Sequence, residues 1–414
     1  MSLPREGQCG RMLPLPHCRS CRAPSQFQES VREEFYMLRR LSTLFACMFV
    51  LAGIATSQAN GKLQIHHIDV GQGDGAVLIS PGGQVVVFDA GEDMKKRDCT
   101  RPVSYLDQLG IKHIDYLFVS HYHFDHIGCI PAVLGQFTLL NDAFDRGNSY
   151  PGATYTSYVT AVGAHRRTAA IGDTVTLDKA SANPVLITVV AVDGKSAHGT
   201  VQTSNENDLS LAAVVSFGSF REEIGGDLSG DNTQMYQDVE TPVAPDVGKI
   251  NVYKVHHHCS SHSTNETWLA DTQPAVGIIS TGDGNDYGHP TADCLERLHT
   301  HNIKAYWTET GNGGTPEPGL DVVGGNIIVE VAPNAPSYTV TYGGSHVDTY
   351  SIAGAIAGPP GTGPVATTPK YAWSKKSSYY HLATCRFVQN IAAENLEKGD
   401  SPPPGKTLHK NCPQ

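Results

Sequence analysis

From Lys62 onward, short runs of β-branched and aliphatic residues alternate with polar turn residues. Leu63–Val70, Gly75–Ser80 and Gln84–Phe88 predict strands, followed by a helix at Val103–Leu109 and a strand at Ile114–Ser120. The pattern continues with strands at Val185–Val192, Ser210–Phe217, Val252–Val255 and Val276–Ser280, a helix at Thr291–Thr300, and strands near Ile303–Trp307 and Ile327–Val331. Strands interleaved with helices indicate a layered α/β fold. No internal repeat is evident.

The two ends break this rhythm. Arg39 and Arg40, the apolar run Leu41–Ile54 and then Ser57-Gln58-Ala59 form the basic, apolar and small-residue regions of a signal peptide over 37–59, cleaved after Ala59. An uncleaved buried helix is the alternative. Fourteen apolar residues fall short of the roughly 20 that span a bilayer as a helix, so no stable membrane span is expected after cleavage and the compartment is secreted or periplasmic. Residues 351–368 are small residues, Gly and Pro without charge, the composition of an extended linker. The expected layout is a leader over 1–59, a principal domain over 60–345, a linker over 346–369 and a small domain over 370–414. Six cysteines follow the leader. Export permits disulfides among them, with Cys129 or Cys294 as partners for Cys99, and spacing leaves the connectivity open.

Composition fits a folded core: hydrophobic residues make up 40% and charged residues 17% of the 414, against about 25% charged in typical domains. The net charge of −11 is unevenly spread. Residues 61–369 carry 16 basic and 34 acidic groups, net −18, whereas the last 45 residues carry seven basic and three acidic ones. An acidic body repels polyanions unless bound cations offset it.

The densest chemistry is His121-Tyr122-His123-Phe124-Asp125-His126, directly after the apolar run Tyr116–Val119. Three imidazoles and a carboxylate within six residues repel or compete unless a cation holds them, and this donor set suits zinc. Asp227 after Gly225-Gly226, His256-His257-His258 after Val252–Val255, and Gly288-His289-Pro290 after Val276–Ser280 also stand near strand ends. Asp69-Val70-Gly71-Gln72-Gly73-Asp74 and Phe88-Asp89-Ala90-Gly91 place carboxylates beside tight glycine turns. In order, these segments describe one rim of a sheet sandwich.

This succession resembles the metallo-β-lactamase fold and, within it, the extracytoplasmic hydrolase part of the ComEC competence family. The resemblance covers roughly 62–345 and includes Asn207-Asp208-Leu209-Ser210 and Asn285-Asp286-Tyr287-Gly288-His289-Pro290. It implies an αββα sandwich with two zinc ions, manganese being the alternative. His121 and His123 would bind the first metal, Asp125, His126 and His257 the second, and Asp227 would bridge them. The resemblance leaves His257 and His258 as competitors for the second site, with His257 preferred. ComEC proteins often carry Asp where this chain has His123, which favours zinc in the first site. Cys259 stands where a glycine is usual, and the extra histidine common between the metal motif and the bridging carboxylate has only His165, His198 or solvent as candidates. Asn207 and Ser210 would touch substrate. Two metals could hold a hydroxide, which Asp125 would position or deprotonate, while His289 would bind substrate, donate a proton or serve structure.

In the last segment, His381 and Cys385 precede a second pair, His409 and Cys412. That spacing matches a closed structural zinc site, and the segment resembles the small zinc-binding domain of the Ada DNA-repair protein, with histidines for two of its cysteines. A Cys385–Cys412 disulfide or an unstructured tail are the alternatives. Lys375, Lys376, Arg386, Lys406 and Lys410, interleaved with Tyr371, Trp373, Tyr379 and Tyr380, suit either a nucleic-acid contact or a solvated basic tail. Together these features point to a secreted two-zinc phosphodiesterase or nuclease acting on DNA. Esterase activity on a phosphocholine ester, lactone or β-lactam, and a non-catalytic DNA-binding module, are the competing expectations. Oligomeric state is left open.

Overall fold

The computed structural model describes residues 59–91, 98–352, 371–382, 388, 391–392, 395–399 and 402–409. The expected signal peptide and most of the linker lie outside them. The chain divides into two compact units, Met1–Ala355 and Ile356–Gln414.

In the first unit, seventeen strands build two large sheets. One holds β1 (Leu63–His67), β2 (Gly75–Ile79), β3 (Val85–Ala90), β4 (Tyr116–Phe118), β5 (Ala143–Asp145) and β6 (Arg166–Thr168). The other holds β7 (Thr174–Leu177), β8 (Val185–Ala191), β9 (Ala212–Phe217), β10 (Phe220–Gly225), β11 (Val252–Lys254), β12 (Val276–Ile279), β13 (Lys304–Trp307) and β14 (Asp321–Val323). The chain then returns to the first sheet as β15 (Ile327–Val331), β16 (Ser337–Tyr342) and β17 (His346–Ser351). The strand orders are β17-β16-β15-β1-β2-β3-β4-β5-β6 and β14-β13-β12-β11-β10-β9-β8-β7.

The central strands of both sheets are buried on both faces, which is why they read as near-continuous apolar runs. Alternate side chains (Leu63, Ile65, Leu78, Val86 and Phe88 from one sheet, Val215, Val252, Ile278 and Tyr306 from the other) meet between the sheets. Their neighbours Val77, Ile79, Val85 and Val87 face outward against Leu106 of α1 (Thr100–Gln108), Ile127 of α2 (Phe124–Ile127), Ile130 and Val133 of α3 (Ile130–Gln136) and Tyr158 of α4 (Ala153–Val162). On the other outer face Tyr253, Ile279 and Trp307 pack with Val243 of α5 (Glu240–Val247), Trp268 of α6 (Glu266–Thr272) and Leu298 of α7 (Ala292–Thr300). The expected αββα sandwich is therefore the observed one.

α7 is capped by the Thr291 side chain, which accepts from the Cys294 amide, and α6 by Asn265, which accepts from the Trp268 amide. Two disulfides tie helices to the site loops, Cys99–Cys129 and Cys259–Cys294. The expected linker range of 346–369 starts on an ordered strand. Residues 346–351 form β17, paired with β16 from Tyr342↔His346 to Ser337↔Ser351. Gly343 and Gly344 (φ 54° and 76°) supply the left-handed turn that such a short hairpin needs.

In the second unit, Leu396–Gly399, Tyr371–Ser374, Tyr379–Leu382 and Thr407–Leu408 form a small sheet in that order.

Candidate metal centre

β3 runs parallel to β4, and β10 to β13 run parallel to one another. In open parallel sheets the loops beyond the carboxyl ends of the strands are where functional groups collect. Here the end of β3 carries Asp89, and the segments beyond the strands carry His121 to His126, Asp227, His256 to His258 and His289.

The loops approach closely because glycines permit it. A Cβ on Gly91 would sit 2.1 Å from the Asp125 carbonyl oxygen, and one on Gly73 (φ 147°) 2.4 Å from the same atom. The Asp74 amide donates to that carbonyl at 2.9 Å and the Gly91 amide to the Asp74 carbonyl at 2.7 Å, so both glycine turns clamp the loop bearing the metal motif.

Two separate donor sets result. His121, His123 and Asp227 form one and Asp125, His126 and His258 the other, and a third grouping of Asp74, His126 and Asp227 overlaps both, the donor atoms of each lying within 4.8 Å of one another. The Asp227 carboxylate lies between the first two. Its Oδ2 is 3.9 Å from His121 Nε2 and 3.6 Å from His257 Nε2, and its Oδ1 is 3.3 Å from His126 Nε2 and 3.7 Å from His258 Nε2. Asp125 Oδ2 lies 3.4 Å from His258 Nε2.

Three of the rings are oriented from behind. Asp89 accepts from His126 Nδ1 at 2.9 Å and from the Ser120 amide and hydroxyl at 2.8 and 2.6 Å. The Ser280 carbonyl accepts from His258 Nδ1 at 2.9 Å, and Ser120 and Ser210 hydroxyls stand 3.1 and 3.2 Å from His121 Nδ1. Such partners fix which nitrogen faces a metal. His126 Nε2, His258 Nε2 and Asp227 Oδ1 are buried without a hydrogen-bond partner. Unsatisfied buried polar atoms are costly, and a bound cation would satisfy all three, so the residues present fit a divalent metal.

The two donor sets differ electrostatically: burial works against charge on His126 and His258, yet Asp227 and the carboxylates around it hold His126 well above and His258 above the ordinary imidazole range, whereas His121, His257 and His289 are lowered. Burial, with His126 nearby, holds His121 well below the ordinary imidazole range; burial and the neighbouring His258 hold His257 at about 4, although Asp227 opposes this. Burial and the rings of His258 and His257 bring His289 to about 3. Neutral imidazoles are the form that binds metal. Burial works against ionisation of Asp227, yet His126, His257 and His258 hold its carboxyl well below the usual range.

The loop after β11 has unusual backbone. His257, His258 and Cys259 are all left-handed, with φ of 50°, 53° and 60°, a conformation that costs non-glycine residues on the order of 1–3 kcal/mol each. Cys259 is pinned to α7 by its disulfide, and the Thr291 amide donates to its carbonyl at 2.8 Å. Below, His256 lies between Glu240 and Glu223 at 2.8 and 3.2 Å. Burial opposes its charge, but these carboxylates raise it to about 9. Lys254 reaches Asp74 Oδ2 at 2.5 Å beneath the second donor set.

Three expectations change. His258, not His257, joins Asp125 and His126; His257 instead faces Asp227 and Asn207, whose Nδ2 lies 3.1 Å from its Nε2. Ser210 is fully buried and accepts from the Asp227 amide at 2.9 Å, so it braces the donors and is out of reach of substrate. His165 and His198 lie elsewhere, at the Asn141 carbonyl and Asp246. His289 stands beside the centre with its ring 5.4 Å from that of His257. The roles of Lys254 and Glu240 were not anticipated; a lysine inside the apolar run Val252–Val255 was the available signal. His381 and His409 stack at 4.9 Å between centroids, whereas Cys385 and Cys412 lie outside the described residues.

Residues 74–141, which contain Asp74, Asp89 and the whole His121–His126 motif, match the family model of the metallo-beta-lactamase superfamily. The chain carries a metallo-β-lactamase-fold domain. It is similar to ComE operon protein 3 of Bacillus subtilis, 26% identical over 283 residues covering 63% of this chain and 34% of that protein. It is also similar to Recombination protein 2 of Haemophilus influenzae, 28% identical over 246 residues covering 58% and 26%. The chain thus spans about a third or less of the length of these relatives. Among solved structures, the metallo-beta-lactamase fold protein YhfI from Bacillus subtilis aligns at 12% identity and a TM-score of 0.35, covering 61% of this chain and 99% of that one. Among the described residues no helix is long and apolar enough to cross a membrane.

Proposed function

We propose that this protein is an exported, metal-dependent phosphodiesterase acting on DNA, with zinc as its metal and manganese as the alternative. The observation that carries the hydrolase reading is the pair of adjacent donor sets with Asp227 between them, with buried nitrogens and oxygen left unpartnered at their centre. The choice of a phosphodiester is supported by the similarity to a protein named for recombination, a process of nucleic acids. Two disulfides in the first unit support an oxidising compartment.

When bound, a pair of divalent cations supplies Lewis-acid polarisation of a phosphoryl oxygen and activation of water. The chain's own residues divide the remaining work. Asp89 and the Ser280 carbonyl hold the rings of His126 and His258 with Nε2 toward the centre. Asp125, beside His258 Nε2, is placed to orient the attacking water and accept its proton. His289, neutral and with Nδ1 unpartnered, is placed to donate a hydrogen bond to the phosphoryl or leaving oxygen. In the tail, a structural zinc held by His381, Cys385, His409 and Cys412 would present Lys375, Lys376 and Trp373 to polyanionic substrate.

The test is to strip the full chain with chelator, reload it with zinc or manganese, and follow metal content together with hydrolysis of DNA and bis-p-nitrophenyl phosphate. Restored cleavage with about two metals in the first unit is expected. Stoichiometric metal without phosphodiester turnover, or turnover only of lactone, phosphocholine ester or nitrocefin, would overturn the substrate assignment.

A further inference from the structure

Three tyrosines from three loops stand around the donor cluster. Tyr150 follows β5, Tyr236 precedes α5, and Tyr287 lies between β12 and α7. Tyr150 meets the ring of His123 edge-on at 5.9 Å, and Tyr236 meets His257 likewise at 5.9 Å. Tyr287 stacks on His289 at 5.7 Å with planes 20° apart, and His289 stacks on His258 at 5.9 Å and 28°. A nearly parallel series of rings thus runs from Tyr287, 49% exposed, down to the buried His258. Burial and the charge of Asp125 push the Tyr287 hydroxyl above its ordinary value, and burial and Asp227 do the same for Tyr236. Both tyrosines therefore sit close enough to sense the cluster's carboxylates.

Among the described residues, several cations that could grip a phosphate backbone are already engaged. Arg146 pairs with Glu206 at 2.6 Å, Arg101 with Asp69 and Glu309 at 2.5 and 2.7 Å, and Lys254 with Asp74. Sequence-tolerant affinity for a strand comes either from a basic groove or from aromatic faces on which bases stack. Among the described residues the second source is the one present at the mouth of the site.

We infer that Tyr287, with Tyr236 and Tyr150, forms a stacking subsite for the planar bases flanking the scissile phosphodiester, so that the site selects unpaired, base-bearing strands. The inference rests on the phosphodiesterase reading and names the substrate class within it. A base on the exposed face of Tyr287 would extend the ring series outward and set its phosphate over Asp227.

The experiment compares a single-stranded oligothymidylate with an abasic tetrahydrofuran strand of equal length, using the full chain reloaded with zinc. The wild type is expected to show a KM roughly tenfold lower for the base-bearing strand, the scale of one stacked base. Tyr287→Ala is expected to remove that preference, raising KM more than it lowers kcat, and Tyr287→Phe to retain it. Equal KM for both strands in the wild type, or an intact preference in Tyr287→Ala, overturns the inference while leaving the phosphodiesterase reading standing. Cleavage of neither strand overturns the phosphodiesterase reading. The ratio of Kd values for the same pair, read by fluorescence anisotropy, then decides the subsite by itself, equal values refuting it and a ratio lost in Tyr287→Ala supporting it.

Discussion

Asp89 touches no candidate metal position, yet its carboxylate fixes the tautomer of His126 and the loop at Ser120 together. Replacing it with Asn leaves one acceptor for three donors. Partners of this kind are worth about 10–100-fold in metal affinity, so Asp89→Asn is expected to weaken zinc binding by that factor in a chelator-competition titration, with the far-UV spectrum retained. A second residue reports on stability. His66 is buried, and burial together with His67 lowers it to about 4, against about 6.5 for the unfolded side chain. The fold keeps the ring neutral, so its full stability is present above pH 6.5 and is lost as the unfolded chain takes up the proton between 6.5 and 4. The loss is about 3 kcal/mol across that window. Urea denaturation at pH 7.5 and 4.5 should show this drop in the wild type and a smaller one in His66→Gln. At this scale the sequence announced the donor types, but could not say which of two adjacent imidazoles faces Asp125. The left-handed backbone at His257 and His258 decides that, a conformation that local preference does not announce.

Strands buried on both faces were legible because their apolar runs are uninterrupted: β2, β3, β12 and β15 lie within a residue or two of where the pattern puts them. Helices α3 to α6 were not, since seven to ten residues give a weak helical period, broken further by Pro131 and Gly135 in α3 and by Pro242 and Pro245 in α5. They form because each lays an apolar stripe on a sheet, tertiary packing overriding propensity. β17 was hidden by a polar, exposed edge sequence whose signal was the Gly343-Gly344 turn. The turn after β3 offers a direct test of element contact. Gly91→Ala places a methyl group against the Asp125 carbonyl, and overpacking of this kind costs about 1–3 kcal/mol. The variant is expected to melt a few degrees lower and to hold less metal in the set containing Asp125, read by calorimetry and elemental analysis.

Across the whole molecule, charge and chemistry are arranged in opposition. An acidic body carries a centre built to gather positive ions, whereas in the last 45 residues the seven basic groups outnumber the three acidic ones. The sandwich, its strand order apart, could be anticipated from motif succession, because every motif closes a strand on the same rim. The disulfide pairing could not, because pairing depends on which loops meet across the fold. Cys129 sits three residues after His126, and Cys259 directly after His258. Each bridge closes a loop of about 30 residues and is worth about 2–4 kcal/mol. Thiol reduction is expected to release metal from the Asp125 set before the sheets unfold, seen as zinc appearing in a chromogenic chelator ahead of the loss of near-UV ellipticity. On the proposed activity, a newly made chain in a reducing cytoplasm would lack both clasps, and so would stay harmless to the genome beside it until it had left the cell.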